Sequence, residues 1–434
     1  MPRSAEPLAT PALAERCREL VAAADALRAR DPEDTVRTLA AVSARFQDPE
    51  SLSRRQVEPE LAARSGYSLA VVGAALDDLF GTLDEGALSR LLELESADLP
   101  SRRPRLVLHV SAGTVFPPAI VGPVTSLLLG APCLVKPASE MPALSLAWIQ
   151  ALEEEDAELA RAVAVLPWSR RRDDLTRCAL RFADTAIVHG DDLTIDTITH
   201  LAPAGAHVVG HGHRVSAALC TAEAVLAPGS TAAAGLARDV ALYDQRGCLS
   251  PHTVFVVENG GGDVVAVGDA LAAAMRQAAE ALPRGRLSPQ HASSVRQVAD
   301  SLELLCYSAG GRSWGQVGRG FLLLADRHQP ARFRPSPGGR TVLLQGVADV
   351  DQALLALTPW RSRLQGVAVA GGPEVMARVD AALNGDRVDS ATPPWARPVR
   401  VCPPGKLQTP PITWCADGHR PLASQCPPGS WGSS

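Results

Sequence analysis

The sequence has few cysteines and no long apolar run. Nine cysteines are spread over 434 residues, and no two of them form a C-x-x-C pair. This excludes a disulfide scaffold and favours a reducing compartment, so we predict a cytoplasmic protein. Apolar stretches such as Val124–Val135 contain Gly, Pro, Ser or Thr and fall far short of the roughly 20 apolar residues of a membrane helix. We therefore predict no membrane span, and the acidic residues near the N-terminus argue against a secretion signal.

The chain also has no excess of positive charge. Lys and Arg total 42 against 47 Asp and Glu, a formal charge of −5. This argues against a nucleic-acid-binding protein whose affinity comes from a global basic field. With 46% hydrophobic and 21% charged residues, the composition is that of a globular protein. A prior of roughly 150 residues per domain gives about three domains, or two large ones.

Residues 1–104 have the pattern of a helical region. Apolar residues recur at helical spacing over Leu13–Arg30, Leu69–Phe80 and Ala87–Leu94. The segment Asp98–Pro104 contains two prolines and two arginines, and it ends the helical region.

Residues 105–222 alternate between short apolar strands and helices, which predicts a parallel sheet covered on both faces. The predicted strands are Arg105–Val110, Pro132–Val135, Ala162–Leu166, Thr185–Val188 and His207–Val209. The predicted helices are Pro118–Gly130, Ala143–Glu155, Asp173–Phe182 and Asp192–Leu201. Ligands of such sheets bind at the carboxyl ends of the strands.

Residues 223–390 predict a second α/β unit, and residues 391–434, rich in Pro and Gly, predict an irregular tail. The predicted strands are Thr253–Val257, Ser301–Leu305, Gly320–Leu324, Thr341–Gln345 and Gly366–Ala370. The predicted helices are Thr231–Tyr243, Asp269–Ala281, Asp349–Ala356 and Pro373–Leu383, and Asn259–Gly262 is a predicted loop.

Cys248 is the first candidate for chemistry. It stands between a glycine and a Ser-Pro turn in Asp244–Pro251, DQRGCLSP, just before a predicted buried strand. Such a bend exposes the sulfur to a cleft while the strand fixes the backbone, as attack on an acyl or aldehyde carbon requires. The alternative is a buried core cysteine, which is common for this residue type.

Lys136 is the second candidate, because it ends a predicted parallel strand, where a nucleotide ribose or phosphate would lie. The alternative is a solvated strand end. The chain has no G-x-G-x-x-G between a strand and a helix, so the usual dinucleotide fingerprint is absent.

Three weaker patterns remain. His207, His211 and His213 favour a loop that lines the cleft over a metal site, since no acidic ligand stands beside them. The spacing in the tail set is a weak zinc signal without a tight C-x-x-C; its members are Cys402, Cys415, His419 and Cys426. The run Arg170–Arg172 is read as a solvated turn rather than a phosphate contact.

Six segments, the last of them a C-terminal signature, form one set. They are His109–Gly113 (HVSAG), Leu134–Ser139 (LVKPAS), Val188–Asp192 (VHGDD), Leu236–Pro251 (LARDVALYDQRGCLSP), Trp360–Gly366 (WRSRLQG) and Arg400–Gly405 (RVCPPG), the last followed by Trp414 and Asp417–Gly418. In content and order, from about residue 105 to 420, they resemble the acyl-CoA reductase family typified by the fatty-acid reductase subunit of bacterial bioluminescence. That family belongs to the aldehyde dehydrogenase superfamily.

The resemblance implies an α/β, aldehyde dehydrogenase-like fold, with two doubly wound parallel-sheet domains and a helical N-terminal region. Residues 105–222 would form the NAD(P)-binding Rossmann-like domain, and residues 223–390 the catalytic domain that carries the nucleophilic cysteine. Cys248 would take the acyl group from a thioester, and NADPH would reduce the acyl-enzyme to the aldehyde.

The resemblance also implies residue roles. Lys136 would lie beside the adenosine ribose and its 2′-phosphate. Ser111, Gly113, Ser139 and Gly190, in matching segments, would help to bind the cofactor.

Two departures from the superfamily pattern concern catalysis. Thr114 stands where aldehyde dehydrogenases commonly place the asparagine that donates to the oxyanion, so the Cys248 backbone N–H would carry more of the stabilisation. The segment Gly210–Arg214 (GHGHR) has no glutamate where hydrolytic members have their base. This disfavours release of the acyl group to water, and it leaves His211 or His213 as the acid or base.

Two alternatives keep the fold. One is an aldehyde dehydrogenase or an acyl-phosphate reductase, and the other is a weak scaffold for an acyl-activating partner enzyme. The thiol donor would be coenzyme A, as acyl-CoA, or an acyl carrier protein. The resemblance to the superfamily also implies a homo-oligomer.

Overall fold

The computed structural model of the chain describes residues 8–139, 141–258, 262–385 and 397–428. Most of the predicted loop Asn259–Gly262 lies outside these residues. In the described part of the chain, no helix is both long enough and apolar enough to span a membrane.

Helices make up the N-terminal region, as predicted. Those described before residue 104 are α1 (Thr10–Ala22), α2 (Ala24–Ala29), α3 (Pro32–Gln47), α4 (Leu52–Ser65), α5 (Leu69–Gly81) and α6 (Glu85–Glu95). The predicted helix Leu13–Arg30 is two helices that meet at Ala23. Side chains cap several N-termini; Ser68, for example, accepts the Val71 N–H at the start of α5. Phe46 and Phe80 stack 4.7 Å apart between α3 and α5, which packs these helices into one core.

The first sheet is parallel in all its described strands. They are β1 (Val107–Val110), β2 (Cys133–Lys136), β3 (Val163–Val165), β4 (Thr185–His189) and β5 (His207–His211), in the order β3-β2-β1-β4-β5. The helices of this unit are α7 (Pro118–Leu129), α8 (Ala143–Glu155), α9 (Ala157–Ala160), α10 (Asp173–Phe182) and α11 (Asp192–Leu201). The order reverses at β1, so the carboxyl ends of β1 and its neighbours form a cleft for ligands.

The second sheet has seven described strands in the order β12-β11-β6-β7-β10-β9-β8. They are β6 (Val215–Thr221), β7 (Pro251–Val257), β8 (Arg312–Gly315), β9 (Leu322–Ala325), β10 (Thr341–Val347), β11 (Leu364–Ala370) and β12 (Arg400–Cys402). Only the edge strand β8 is antiparallel among these pairings. The helices are α12 (Ala222–Leu226), α13 (Ala232–Ala241), α14 (Val264–Ala281), α15 (Pro289–Ser308), α16 (Val350–Leu357) and α17 (Gly372–Asn384).

The structure corrects three details of the predicted organisation. The segment Ser301–Leu305 belongs to the long helix α15 and is not a strand. The sequence pattern places the boundary between the two α/β units after residue 222, but the sheets divide between His211 and Val215. Only three residues separate β5 from β6. A loop this short shows no change in composition, so the sequence does not reveal that the chain passes to the second sheet there.

The third correction concerns the tail. The sequence predicts an irregular tail over residues 391–434, yet β12 pairs with β11 at the edge of the second sheet. The chain then returns to the first sheet, where Thr185 donates to the Gln425 carbonyl at 2.7 Å. Asp239 on α13 holds the tail between these points by accepting the N–H groups of Gly405 and Leu407. The tail therefore bridges the two sheets.

Candidate active site

Cys248 lies at the end of a backbone loop in an unusual conformation. Tyr243, Asp244 and Gln245 have φ values of 56°, 51° and 61°, in the left-handed region. Each such non-glycine residue costs about 1–3 kcal/mol, so this conformation must be held by its surroundings. The loop leads directly to β7, and the Cys248 side chain is exposed while the other described cysteines are buried.

Buried polar contacts hold the loop. The Asp244 carboxylate accepts from the Arg340 Nε at 2.9 Å and from the Gly285 N–H at 3.0 Å, and Arg340 is fully buried. The Gln245 amide donates to the Pro251 and Thr341 carbonyls at 2.8 and 2.7 Å. These bonds tie the loop to β10, which explains why the segment keeps polar residues in a core position.

An aromatic cluster joins the loop to the first turn of the first sheet. Tyr243 packs edge-on against Phe116 at 5.6 Å and against Tyr67 at 5.9 Å. The Tyr67 hydroxyl donates to the Thr114 carbonyl. A Cβ on Gly247 would lie 3.4 Å from Val115, so the glycine lets the cysteine loop approach this turn closely. Thr114 is exposed in that turn, and its role as an oxyanion donor stays a prediction.

The electrostatic surroundings of the Cys248 thiol keep it protonated. Desolvation by the surrounding protein is the largest cause, and with the negative charge of Asp417 it raises the pKa of Cys248 to about 11. The backbone N–H groups of Cys248 and Leu249 and the charge of Arg214 act in the opposite direction. Ser216 on β6 anchors the loop by donating to the Cys248 carbonyl at 2.8 Å. A base must therefore remove the proton before the sulfur attacks.

His211 is the predicted histidine that meets a carboxylate. Its Nδ1 lies 2.9 Å from Asp417 Oδ2, and the Arg214 Nε lies 2.6 Å from Asp417 Oδ1. Burial opposes ionisation of Asp417, but the hydrogen bonds and charges of His211 and Arg214 outweigh it and lower the pKa of this carboxyl to about 2. Asp417 comes from the tail and His211 from β5, so the tail completes this group.

His213 and His207 lie apart from that pair. The His213 side chain is exposed, and its backbone N–H donates to Asp192 at 3.1 Å. His207 binds the Ser424 carbonyl at 3.0 Å, a contact between β5 and the tail. Of the three histidines, the structure brings only His211 next to a carboxylate that acts on Cys248.

The residues expected to bind the cofactor lie along the carboxyl edge of the first sheet. Lys136 is 7% exposed, with its Nζ 5.6 Å from the centre of the Trp168 ring. Burial lowers the pKa of Lys136. Ser139 donates to the Trp168 carbonyl at 3.1 Å, and Ser111 donates its backbone N–H to the Lys136 carbonyl at 3.1 Å. Lys136 has no ion pair among the described residues.

Two glycines complete this edge. A Cβ on Gly113 would lie 3.1 Å from Ala138, so the turns after β1 and β2 approach closely there. Gly190 follows β4 and donates its N–H to the His211 carbonyl, on the opposite side of β1 from Lys136. The buried Ser111 hydroxyl has no partner among the described residues. An unpartnered hydroxyl and an unpaired lysine at a topological switch point fit the ribose and phosphate of a nucleotide cofactor.

Comparison with known proteins identifies the family. The model for the family described as acyl-CoA reductase (LuxC) matches residues 28–423. The chain belongs to the LuxC family. It is 22% identical over 268 residues to the long-chain acyl-protein thioester reductase 2 of Photobacterium leiognathi, a match that covers 59% of this chain and 54% of the relative. The chain thus spans about half the length of the curated relatives that it matches.

Solved structures confirm the predicted aldehyde dehydrogenase-like fold of this LuxC-family chain. Aldehyde dehydrogenase 21 from Physcomitrella patens superimposes with a TM-score of 0.69 at 15% identity, covering 91% of this chain and 82% of that one. The NADP-dependent glyceraldehyde-3-phosphate dehydrogenase of Bacillus halodurans, complexed with NADP, gives 0.65 at 14% identity, with 91% and 83% covered. At such identities the likeness concerns the fold alone.

A cavity of about 190 Å³ adjoins the cysteine loop of the LuxC-family chain. Residues of α5, α7 and the tail form much of its wall, including Leu79, Val121, Ile412 and Trp414. Tyr243, Gln408 and His211 also line it, and Gln408 Oε1 lies 3.3 Å from where a Cβ on Gly247 would stand. The cavity therefore reaches the loop that carries Cys248.

The remaining patterns are the tail set and the run Arg170–Arg172. Within the described ranges, no group of three or more His, Cys, Asp or Glu side chains is arranged to hold a metal ion. Of the tail set, Cys402 lies in β12 and His419 packs edge-on against His211 at 5.5 Å. In the run Arg170–Arg172, Arg172 pairs with Asp174 at 2.6 Å and its two neighbours are exposed.

Sequence reasoning missed Asp417 and Arg214 as members of the site. Asp417 stands 206 positions from its hydrogen-bond partner His211, so no local spacing connects them. The signal was present in the C-terminal signature, which contains Asp417, but its place beside His211 follows only from the path of the tail.

Proposed function

We propose that this protein reduces an acyl thioester to the aldehyde with NADPH, through an S-acyl intermediate on Cys248. The main observation in support is that Cys248 is exposed and lies on a strained loop, which buried hydrogen bonds fix in place. The apolar cavity on one side suits an acyl chain, and the edge with Lys136 suits a nucleotide. The reaction named for the curated relatives, reduction of long-chain acyl-protein thioesters, supports the same chemistry.

Acyl transfer requires a base because desolvation by the surrounding protein, together with the charge of Asp417, holds the pKa of Cys248 at about 11. The Asp417 carboxylate keeps a proton on His211 Nδ1, so Nε2 of that ring has a free lone pair to accept the thiol proton. A bond then forms between the Cys248 sulfur and the acyl carbon, and the bond from that carbon to the donor sulfur breaks. His211 returns the proton to the leaving thiolate, which departs as a thiol.

Reduction uses the edge of the first sheet. When bound, NADPH supplies the hydride for the acyl carbon. Lys136 and Ser111 would hold its phosphate and ribose, and the Cys248 N–H, with Thr114, would stabilise the oxygen that gains charge. Loss of the aldehyde breaks the carbon–sulfur bond, and the Cys248 thiolate takes up a proton through His211. NADPH rather than NADH rests on the family resemblance and on the NADP-bound neighbour.

One observation favours a second function, oxidation of aldehydes to acids. The sequence has no glutamate base in Gly210–Arg214, but the His211–Asp417 pair is chemically able to activate water in its place. The stability of the acyl-enzyme separates the two functions. A reductase keeps the acyl group on Cys248 until hydride or a thiol arrives, whereas a dehydrogenase loses it to water.

The test is the intact mass of the protein after mixing with acyl-CoAs or acyl carrier proteins, without cofactor. We expect a gain of one acyl group in the wild type and in Cys178→Ala, a matched control at a buried cysteine, and no gain in Cys248→Ala. NADPH should discharge the adduct and yield aldehyde. Discharge by water alone, at the same rate with and without NADPH, would contradict the reductase proposal. A folded protein that takes no acyl group from any donor would refute the intermediate.

A further inference from the structure

Cys248 is the first central residue of a tight turn. The Ser250 N–H donates to the Gly247 carbonyl at 3.0 Å, which closes a β-turn. Cys248 and Leu249 are its two central residues, and their N–H groups take no part in that bond. Neither N–H has a hydrogen-bond partner among the described residues. Leu249 is only 7% exposed, so its bare N–H is unusual, because buried backbone donors are almost always paired.

Both N–H groups act on the Cys248 sulfur. Desolvation and the charge of Asp417 raise the pKa of the thiol, while the N–H groups of Cys248 and Leu249 lower it. The positive ends of the two N–H dipoles therefore face the sulfur. An acyl carbon bonded to that sulfur would bring its oxygen close to them. Two preorganised N–H donors beside a developing negative charge are the usual content of an oxyanion hole.

Hydrogen bonds on both sides fix the turn. On β6, the Ser216 hydroxyl donates to the Cys248 carbonyl at 2.8 Å. In the tail, the Gln408 amide nitrogen lies 3.0 Å from the Asp239 carbonyl and 2.7 Å from the Ser250 hydroxyl oxygen, and it donates to both. Gln408 is 6% exposed and Ser250 is fully buried, so little water competes for these bonds.

Apolar packing holds the second central residue. A Cβ on Gly366 of β11 would lie 2.9 Å from the Leu407 side chain and 3.2 Å from the Leu249 side chain. The glycine thus lets the tail and the turn pack side by side on this strand. Both leucines are buried in the same core cluster. Turning the Leu249 N–H away from the sulfur would therefore disturb the core.

We infer that the backbone N–H groups of Cys248 and Leu249 together form an oxyanion hole, and that Gln408 is a positioning residue that holds the turn. The inference rests on the proposed function for the reaction at Cys248. It adds Leu249, a residue without a polar side chain, to the donors named above. Both the attack of the sulfur and the addition of hydride would place negative charge on the acyl oxygen at this turn.

The test removes the Leu249 N–H alone. Leucic acid in place of this leucine puts an ester oxygen where the N–H was and keeps the side chain. The probe is para-nitrophenyl acetate, which acylates a cysteine through an oxyanion and does not depend on the natural donor. Measured against Cys248→Ala as background, acylation should fall roughly tenfold to a hundredfold. Alkylation by iodoacetamide, which forms no oxyanion, should fall by no more than about threefold.

Two controls assign the effect. The same ester at Leu193, a 73% exposed residue in the first turn of α11, should change neither rate, since N–H groups there have no intrahelical partner. Ser216→Ala removes the donor to the Cys248 carbonyl, a contact that the ester also weakens, and it should slow acylation less than the ester does. An unchanged ratio of acylation to alkylation in the Leu249 ester, or the full loss in Ser216→Ala, would overturn the inference.

The probe separates this inference from the proposed function. A wild type that takes acetate from the nitrophenyl ester, but no acyl group from any thioester, would refute the proposed substrate. The effect of the Leu249 ester would still decide whether its N–H stabilises the oxyanion. A wild type that the nitrophenyl ester does not acylate at Cys248 would overturn the oxyanion hole as well.

Gln408→Met tests the positioning role. Loss of its two hydrogen bonds should slow acylation roughly tenfold and leave alkylation within about threefold of the wild type. Gln345→Met is the matched control, because it removes two hydrogen bonds from an equally buried glutamine on β10. A merely structural role would lower the thermal midpoint in both variants and leave the ratio of acylation to alkylation unchanged. Equal ratios in the two variants would refute the role given to Gln408.

Discussion

Replacing Asp417 by asparagine should have opposite effects on two reactions of Cys248. Arg214 only donates, so the new amide must turn its oxygen towards Arg214 and its N–H towards His211. That N–H would move the imidazole proton from Nδ1 to Nε2, and Nε2 is the atom that accepts the thiol proton in the proposed mechanism. In a serine-protease triad the equivalent change lowers the rate about 10⁴-fold. We expect acyl transfer here to fall at least roughly a hundredfold.

Direct alkylation of the thiol should instead become faster. Because the pKa of Cys248 is about 11, only about one molecule in a thousand is a thiolate at pH 8. The charge of Asp417 contributes to that high pKa, after desolvation. Each unit of decrease multiplies the thiolate tenfold, so loss of the charge should accelerate alkylation by iodoacetamide roughly three- to tenfold.

Both rates can be measured by intact mass on the same preparations. Asp196→Asn, on the exposed face of α11, is the matched control and should change neither rate. A variant that gains in both reactions would exclude His211 as the base, and one unchanged in both would refute the coupling of Asp417 to the site. Thermal unfolding must show that the Asp417 variant remains folded.

Three further substitutions test other parts of the structure. Arg340→Met should destabilise the protein by about 3–5 kcal/mol in urea unfolding, because it leaves Asp244 buried without its partner; a loss under 1 kcal/mol would contradict the role given to this pair. Gly235→Ala should loosen the tail and speed its proteolysis, since the new Cβ would lie 2.6 Å from tail backbone atoms; unchanged protection would show that the tail adapts. Lys136→Met should weaken NADPH binding roughly tenfold or more without slowing acylation. The control Lys406→Met, at the chain's other lysine, should change neither. If the wild type and Lys136→Met bind NADPH equally tightly in a fluorescence titration, Lys136 does not belong to the cofactor site.

Acid should remove the part of the folding stability that comes from the ionised Asp417 carboxylate. The pKa of Asp417 lies near 2 in the folded protein, below about 3.9 in an unfolded chain. The stability from this group is therefore complete above pH 4 and is lost as the pH falls towards 2. Unfolding midpoints of the wild type and Asp417→Asn should converge over that range. Curves that remain parallel from pH 5 to 2 would refute this linkage.

The sequence predicts those parts of the molecule where local pattern and tertiary structure agree. Strands such as Thr341–Gln345 contain a short apolar core between turn residues, as is typical of buried parallel strands. The strand prediction is wrong at Ser301–Leu305, because a short run with apolar residues does not distinguish a strand from one face of a helix. The strand β6 begins three residues after β5, and no turn signal separates them strongly enough to reveal a new sheet.

The residues of the candidate site also differ in how far the sequence alone predicts them. Cys248 and Lys136 stand at positions where a short segment already dictates a bend or a strand end. The choice of His211 over His213 depends on a carboxylate from the tail, and the tail reaches it only after pairing with β11. Such long-range contacts leave no periodicity in the sequence, so only the structure reveals them.

The wall of the cavity has a consequence for how the protein can evolve. Thr409, Pro410 and Pro411 line the cavity but belong to no helix or strand. Under the proposed function, substitutions there would reshape the space for the acyl chain without breaking a ladder in either sheet. Cys248, by contrast, depends on a loop whose buried bonds tolerate little change. Under the same proposal, the acyl group that the protein accepts can change while the chemistry at Cys248 stays the same.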